Sequence, residues 1–335
     1  MKAGIVGAGL IGRLLAWRLI SSGWKVTLFD KDDKCGRKST AYAAAGMLSP
    51  VSECETANRM IFDWGISSLK QWEQWLTELS DPVFFQRKGT IVISHLEDAE
   101  EESRWVNRIQ YKKMKGLCIR KLSSSEMRTL EPELNFQEGY FLPQEAHIDP
   151  RAVLKALENE LTVDCWYENK LVDKIMPYRI IVRETSHSFD CVFDCRGIGG
   201  ADQFDDLRTV RGELIHLYAP DVHLSRPIRL LHPRYRVYIV PRPNQIYLIG
   251  ASEIESGDIS PISVRTCLEL LSAAYSVHRG FSEARIIETI TALRPALSDN
   301  LPRILWKEGL VAVNGLYRYG FLLAPALVSE IVRNL

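Results

Sequence analysis

The sequence predicts an α/β fold: a parallel-sheet, nucleotide-binding domain assembled from separated segments, with a domain of antiparallel strands inserted between them. Three observations predict it. The chain opens with a strand, a glycine turn, a helix and a second strand; its middle is rich in strands; and it closes with a strand followed by an apolar helix. The opening stretch runs Lys2-Ala-Gly-Ile-Val-Gly7-Ala-Gly9-Leu-Ile-Gly12, and the second strand, Lys25–Phe29, ends on Asp30. Gly7 suits a tight turn out of the strand, Gly9 a close backbone approach to a pyrophosphate, and Gly12 close packing of helix on sheet. The helix start then offers free N–H groups to phosphate. Asp30 lies eighteen residues beyond Gly12, where a carboxylate accepts hydrogen bonds from an adenosine ribose. Together these parts predict a Rossmann-like domain that holds an ADP moiety.

Further along, Ile61 to Leu79 places Ile61, Trp64, Ser68, Trp72, Trp75 and Leu79 at three- and four-residue steps, predicting a helix whose tryptophans belong to the core. Gly89–Ser94 reads as a strand, and an acidic helix follows near Leu96–Met114 with a solvated face. Ser123 and Glu126 form a capping pattern, and Asp149-Pro150 starts a helix over Arg151–Leu161. Val163–Tyr167, Leu171–Ile175 and Ile180–Val182 are predicted strands. Cys191–Cys195 is a short buried strand running into Arg196-Gly-Ile-Gly-Gly200, a second place for close approach to a cofactor. Strands dominate Leu214–Ile249, a helix covers Val264–Val277, and strand Leu310–Val313 leads through Gly315–Gly320 into the last helix. His147, His216 and His232 read as structural.

The 335 residues suffice for one large or two interleaved domains. The chain is 46% hydrophobic and carries 42 basic and 42 acidic residues, a balance that argues against nucleic-acid or membrane-surface partners. Neither a signal-peptide pattern nor a bilayer-length apolar run is present, so a cytoplasmic location is expected. The seven scattered cysteines read as reduced thiols. Cys191 and Cys195 lack a second Cys/His pair, so no metal is expected.

A nicotinamide or a flavin cofactor could occupy the first motif. The small-residue run Ala43-Ala-Ala-Gly-Met47 and the C-terminal glycine loop suit backbone approach to a flat ring, which favours FAD. Arg294 follows the alternating segment Ile286–Leu293 at a strand end, and Arg318 sits between glycines before an apolar helix. Either could fork onto a substrate carboxylate or form a surface ion pair.

Several motifs, in order along nearly the whole chain, carry a resemblance. They are Gly7-Ala-Gly-Leu-Ile-Gly12, Ala43-Ala-Ala-Gly-Met-Leu48 with Glu53-Cys-Glu55, Arg211-Gly-Glu213, Tyr238-Ile-Val-Pro-Arg242, Ile249-Gly-Ala-Ser252, Leu293-Arg-Pro295 and Gly315–Pro325. The chain resembles the FAD-dependent D-amino acid oxidase superfamily and, within it, the glycine oxidases of thiamine biosynthesis (ThiO), as a proteobacterial-type subgroup. The resemblance implies the glutathione-reductase-2-like arrangement. Its FAD-binding domain would comprise 1–82, 140–210 and 285–335, and its substrate-binding domain 83–139 and 211–284.

By similarity, Gly7, Gly9, Leu10, Ile11 and Gly12 would line the phosphates, and Asp30 and Lys31 the adenosine end. Leu171 would offer its backbone to adenine. Thr40, Ala41, Ala45, Gly46 and Met47 would lie along the flavin, with Leu316, Tyr317, Arg318, Tyr319, Gly320, Phe321 and Leu322 flanking its ring. Arg294 matches the arginine that binds the substrate carboxylate, Arg318 a second pocket arginine, and Tyr238 a pocket tyrosine. The implied chemistry is oxidative deamination of glycine or another small amino acid. Hydride passes from Cα to the flavin, giving an imine or 2-oxo acid and ammonia, and dioxygen reoxidises the flavin to yield hydrogen peroxide. Binding and electrostatics suffice for this, so no side-chain nucleophile or other catalytic residue is named. A homo-oligomer is an open partner, because family members often form dimers or tetramers.

The chain departs from the family at three places. Gly315-Leu-Tyr-Arg-Tyr-Gly320 stands where better-known glycine oxidases have Gly-His-Phe-Arg-Asn-Gly. Glu253 stands where methionine is usual, and Asp194-Cys-Arg-Gly197 replaces an alanine-serine-glycine type. Glu253 could bind a substrate amine, exclude an acidic side chain, or pair with Arg236 or another nearby charge and be silent. These departures leave the amino acid itself open. They keep three other readings in view: an oxidase or dehydrogenase of sarcosine or a D-amino acid, a flavoprotein accessory factor, and a nicotinamide dehydrogenase.

Overall fold

The computed structural model describes residues 1–112, 115–162, 165–233 and 237–335. Lys2–Val6, Leu10–Ser21 and Lys25–Phe29 form the expected strand–helix–strand unit. Lys2–Val6 lies between Lys25–Phe29 and Cys191–Asp194, parallel to both, with Ala3 opposite Val26 and Cys191. The sheet extends on one side to Leu310–Asn314 and Arg303–Lys307 and on the other to Trp166–Tyr167. Only the Arg303–Lys307 edge runs antiparallel to its neighbour. Residues 163 and 164, part of a predicted strand, lie outside the described residues, as does Met114 of the predicted acidic helix.

Helix Leu10–Ser21 packs on the last helix, Gly320–Arg333, which packs in turn on Arg59–Glu78. The tryptophan stripe lies inside this layer, as expected. Trp72 is buried, stacks on Phe321 with ring centres 6.2 Å apart, and donates its indole N–H to the Phe321 carbonyl at 2.8 Å. The expected caps are present: Asp149 accepts from the backbone of Arg151 and Ala152, and Ser123 and Glu126 form a reciprocal capping box.

A second, antiparallel-rich sheet orders Ile254–Glu255, Arg208–Tyr218, Ile246–Gly250, Val237–Arg242, Ile228–Leu231, Thr90–Ser94, Glu138–Leu142 and Arg120–Ser123. The long strand Arg285–Ala296 pairs with Arg208–Tyr218 along its whole length. Helix Val264–Val277 covers one face, burying Leu270, Ala273, Ala274 and Val277 against Ile215, Leu217, Val237 and Ile239.

Two strands fall differently from the sequence-based segmentation. Residues 285–296, grouped there with the nucleotide-binding part, belong to the second sheet, and the boundary at 139/140 cuts through Glu138–Leu142. Among the described residues no helix is long and apolar enough to cross a membrane, and no cluster of His, Cys, Asp or Glu could hold a metal ion.

Candidate active site

The glycine turn has the shape its residues predict. Gly7 adopts φ +101°, and a Cβ there would lie 2.5 Å from the Cys195 carbonyl oxygen. A Cβ on Gly12 would lie 1.9 Å from the Gly7 carbonyl oxygen. A Cβ on Gly9 would meet nothing within 4 Å, so open space adjoins the backbone at the helix start. That helix carries no side-chain cap and no acidic residue in its first turn, leaving the N–H groups of Leu10, Ile11 and Gly12 for an anion. Asp30 Oδ2 accepts from the Ala8 N–H at 2.5 Å, and Oδ1 from the Asp32 N–H at 2.8 Å. Each oxygen keeps a lone pair for a ribose hydroxyl. Lys31 is exposed beside it.

The 167–171 segment lies against the same strand end. Asp30 N–H donates to Tyr167 and Lys170 N–H to Asp30, which places exposed Leu171 at the adenosine end. Buried Arg13, a residue the sequence reading left unremarked, ties this region together. Its guanidinium donates to the carbonyls of Ala8, Leu154 and Lys34 and sits 5.0 Å from the Trp166 ring centre.

Further on, Thr40 Oγ donates to the Leu293 carbonyl at 2.8 Å, tethering the Thr40–Ala41 turn to the strand that carries Arg294. Ala45 and Met47 pack with Tyr238, Leu214, Val240 and Leu248 from the second sheet, and Gly46 accepts from Ile148 N–H. Arg242 braces this loop from behind by donating to the Ala45 and Ile148 carbonyls and to His147 Nδ1. Burial and the neighbouring Arg242 charge lower the His147 pKa to about 3, so the ring is neutral.

Leu316 to Leu322 curve past the same place. Tyr317 N–H donates to the Pro295 carbonyl at 2.8 Å, joining this loop to the Arg294 strand. The helix from Gly320 also starts without a side-chain cap or an acidic residue, and a Cβ on Gly320 would meet nothing within 4 Å. Phe321 and Leu322 themselves turn inward: Phe321 onto Trp72, Leu322 toward Gly65. Their side chains belong to the core, and the Phe321 carbonyl is itself taken by the Trp72 indole.

Of the predicted substrate residues, Glu253 and Arg318 line a cavity of about 830 Å³ together with Thr56, Ser252, Tyr317 and Tyr319, while Arg294 and Tyr238 are not part of its lining. Arg294 is half-buried two residues before the end of its strand. Its NH1 donates to the Ser252 carbonyl at 3.0 Å, and among the described residues it has no carboxylate partner. Its other end lies over Gly212, where a Cβ would come within 2.4 Å of NH2. Tyr238 approaches the same corner. Burial raises its hydroxyl pKa, with the nearby Arg294 and Arg318 charges opposing.

Arg318 differs. Its Nε donates to Glu53 at 2.8 Å, NH2 to Thr56 Oγ at 2.6 Å, and NH1 to Glu253 at 3.3 Å. The Tyr317 and Tyr319 rings flank it at 5.4 and 5.5 Å. Tyr317 also donates its hydroxyl to the other Glu253 oxygen. Arg236, a suggested partner of Glu253, lies outside the described residues. Glu53 was quoted in a motif without a role, and its partnership with Arg318 is what the sequence reading missed. At the Asp194-Cys-Arg-Gly197 departure, Arg196 pairs with both Asp194 and Asp202.

A family model described as FAD dependent oxidoreductase (DAO) matches residues 2–333. A Rhizobium etli protein assigned as the thiamine biosynthesis oxidoreductase ThiO is 38% identical, the match covering 100% of this chain and 96% of that one. A Bacillus licheniformis glycine oxidase is 27% identical, over 96% of this chain and 89% of its own. The crystal structure of a Geobacillus kaustophilus glycine oxidase superposes with a TM-score of 0.84 at 22% identity, covering 100% of this chain and 94% of that one, which shows the shared fold.

Proposed function

The chain belongs to the family of FAD-dependent oxidoreductases, and from that premise we propose that it oxidises the Cα–N bond of glycine or a similarly small amino acid. The residues present fit the cofactor: a glycine cradle with open space at Gly9, two uncapped helix starts, and a carboxylate with spare lone pairs at Asp30. Gly7 to Gly12 would hold the pyrophosphate, Asp30 the ribose, and residues 40–47 and 316–322 the flavin. Bound FAD supplies a two-electron acceptor beside the substrate.

The observation that carries the substrate reading is Arg294. A half-buried guanidinium anchored at one nitrogen, with no carboxylate partner among the described residues, is poised to take one from a ligand. Fixing the carboxylate there orients Cα and the amine, and such positioning is the main contribution asked of the protein. Tyr238, kept protonated by burial, donates a hydrogen bond to the same carboxylate and takes no proton from the amine. In this reading the amine is oxidised in its neutral form, and Tyr238 is not the group that takes its proton. Dioxygen is the electron acceptor in this reading, and the imine product suits the thiazole branch of thiamine synthesis suggested by the name of the Rhizobium etli relative.

Glu253 and Tyr319, which depart from the family pattern beside the predicted substrate residues, support a second reading in which sarcosine or D-alanine is the substrate. Oxygen uptake with glycine, sarcosine and D-alanine, with peroxide and ammonia or methylamine measured together, tests both. Equal stoichiometry of oxygen, peroxide and amine supports the proposal. No uptake with any of the three defeats it.

A further inference from the structure

Arg318 lines the cavity and Arg294 is tied to its Ser252 wall, the two in opposite states, and we propose that Glu253, together with Glu53, locks Arg318 away from ligands and so restricts the pocket to amino acids with a single carboxylate. The inference rests on the reading that Arg294 receives the substrate carboxylate. Arg294 has one backbone contact, while Arg318 has all three guanidinium nitrogens engaged, by Glu53, Thr56 and Glu253. The two are joined through one hydrogen bond, Tyr317 N–H to the Pro295 carbonyl, so both belong to one wall of the site.

Within the lock, Glu253 is the removable part. Its contact to Arg318 is the longest of the three at 3.3 Å, and its side chain is 49% exposed against 21% for Glu53. The Tyr317 hydroxyl holds the other Glu253 oxygen and keeps the carboxylate turned toward Arg318. A second ligand carboxylate approaching Arg318 must displace Glu253 and meets its negative charge. Without that charge, Arg318 NH1 regains a free N–H beside Arg294, and the pair becomes a two-carboxylate site. A methionine at this position would leave NH1 open.

The test uses purified holoenzyme, wild type and the variants Glu253→Gln and Glu253→Met. Acetate and malonate, which cannot be oxidised, are titrated while the visible flavin spectrum is followed. The kcat/KM values for glycine and iminodiacetate are measured alongside. Both variants should bind malonate at least about tenfold more tightly than wild type, with acetate changed less than about threefold, because one charge-assisted contact is released. The ratio of kcat/KM for iminodiacetate over glycine should rise by a similar factor. Adding Arg318→Met to Glu253→Gln should abolish the gain, which a merely structural role for Glu253 would not do. Unchanged malonate affinity in both variants, with acetate binding intact, overturns the proposal alone. Failure of wild-type holoenzyme to bind acetate or to be reduced by glycine overturns the underlying reading as well.

Discussion

Replacing Arg294 gives the most informative single perturbation. One guanidinium nitrogen is held by the Ser252 carbonyl at 3.0 Å, and NH2 is set over Gly212, so the fork is fixed before any ligand arrives. A carboxylate received by that fork gains two charge-assisted hydrogen bonds. At about 1.5–3 kcal/mol each, Arg294→Ala should remove roughly 3–6 kcal/mol. With a factor of ten for every ~1.4 kcal/mol, kcat/KM for glycine should fall by about two to four orders of magnitude. Arg294→Lys keeps the charge but loses the planar fork, and should cost about one order of magnitude. Stopped-flow measurement of anaerobic flavin reduction against glycine concentration separates affinity from the limiting rate. The flavin-to-protein ratio should stay at the wild-type value, because Arg294 belongs to the substrate side. An Arg294→Ala enzyme within about threefold of wild type, with full flavin content, would refute this reasoning.

Three further outcomes are expected. Gly212→Ala places a methyl 2.4 Å from Arg294 NH2, so the fork must move; kcat/KM should fall about tenfold or more while flavin content is retained. Gly9→Ala should fold with an unchanged melting temperature as apoprotein but bind FAD at least about tenfold more weakly, since its methyl enters the space left for pyrophosphate. Gly12→Ala, whose methyl would overlap the Gly7 carbonyl, should instead lower the melting temperature of the apoprotein itself. The last outcome concerns acid. His147 stays neutral in the folded state down to a pKa of about 3, chiefly through burial, whereas the unfolded chain takes up a proton near pH 6.5. Its contribution is therefore complete above pH 6.5 and is lost as pH falls toward 3, amounting to about 2 kcal/mol by pH 5. Urea unfolding at pH 7 and pH 5 should show that loss in wild type and a smaller one in His147→Gln.

The parts of the fold legible in the sequence are those whose signals are local. The opening strand, glycine turn and helix have fixed spacings, and the helices at 59–78, 150–160 and 264–277 announce themselves by caps and apolar periodicity. Strands of two or three residues, such as Met47–Leu48, Phe85–Gln86 and Ala146–Ile148, are too short to show alternation, yet they form a small sheet at the end of the 40–47 loop. The 285–296 strand was legible as a strand but not by partner, because its pairing to Arg208–Tyr218 is long-range.

The site divides in the same way. A glycine cradle is visible from its neighbours, whereas local sequence left Arg294 between a substrate carboxylate and a surface ion pair, and the family resemblance favoured the first. Arg318 is different: its role depends on Glu53, Thr56 and Glu253, which are remote in sequence and meet it only through the fold. The sequence could show an odd place for a charge but not that the charge is already spoken for. Phe321 and Leu322 carry the same lesson, since their side chains serve the core while their backbone lies at the helix start.

The central claim, that this chain removes two electrons from a small amino acid bound by Arg294, is tested most directly by adding glycine anaerobically to the purified holoenzyme and recording its visible spectrum. The account predicts that the oxidised-flavin bands bleach with glycine, sarcosine or D-alanine in the wild type, and bleach at least about a hundredfold more slowly in Arg294→Ala. A yellow protein that stays oxidised with all three would contradict it.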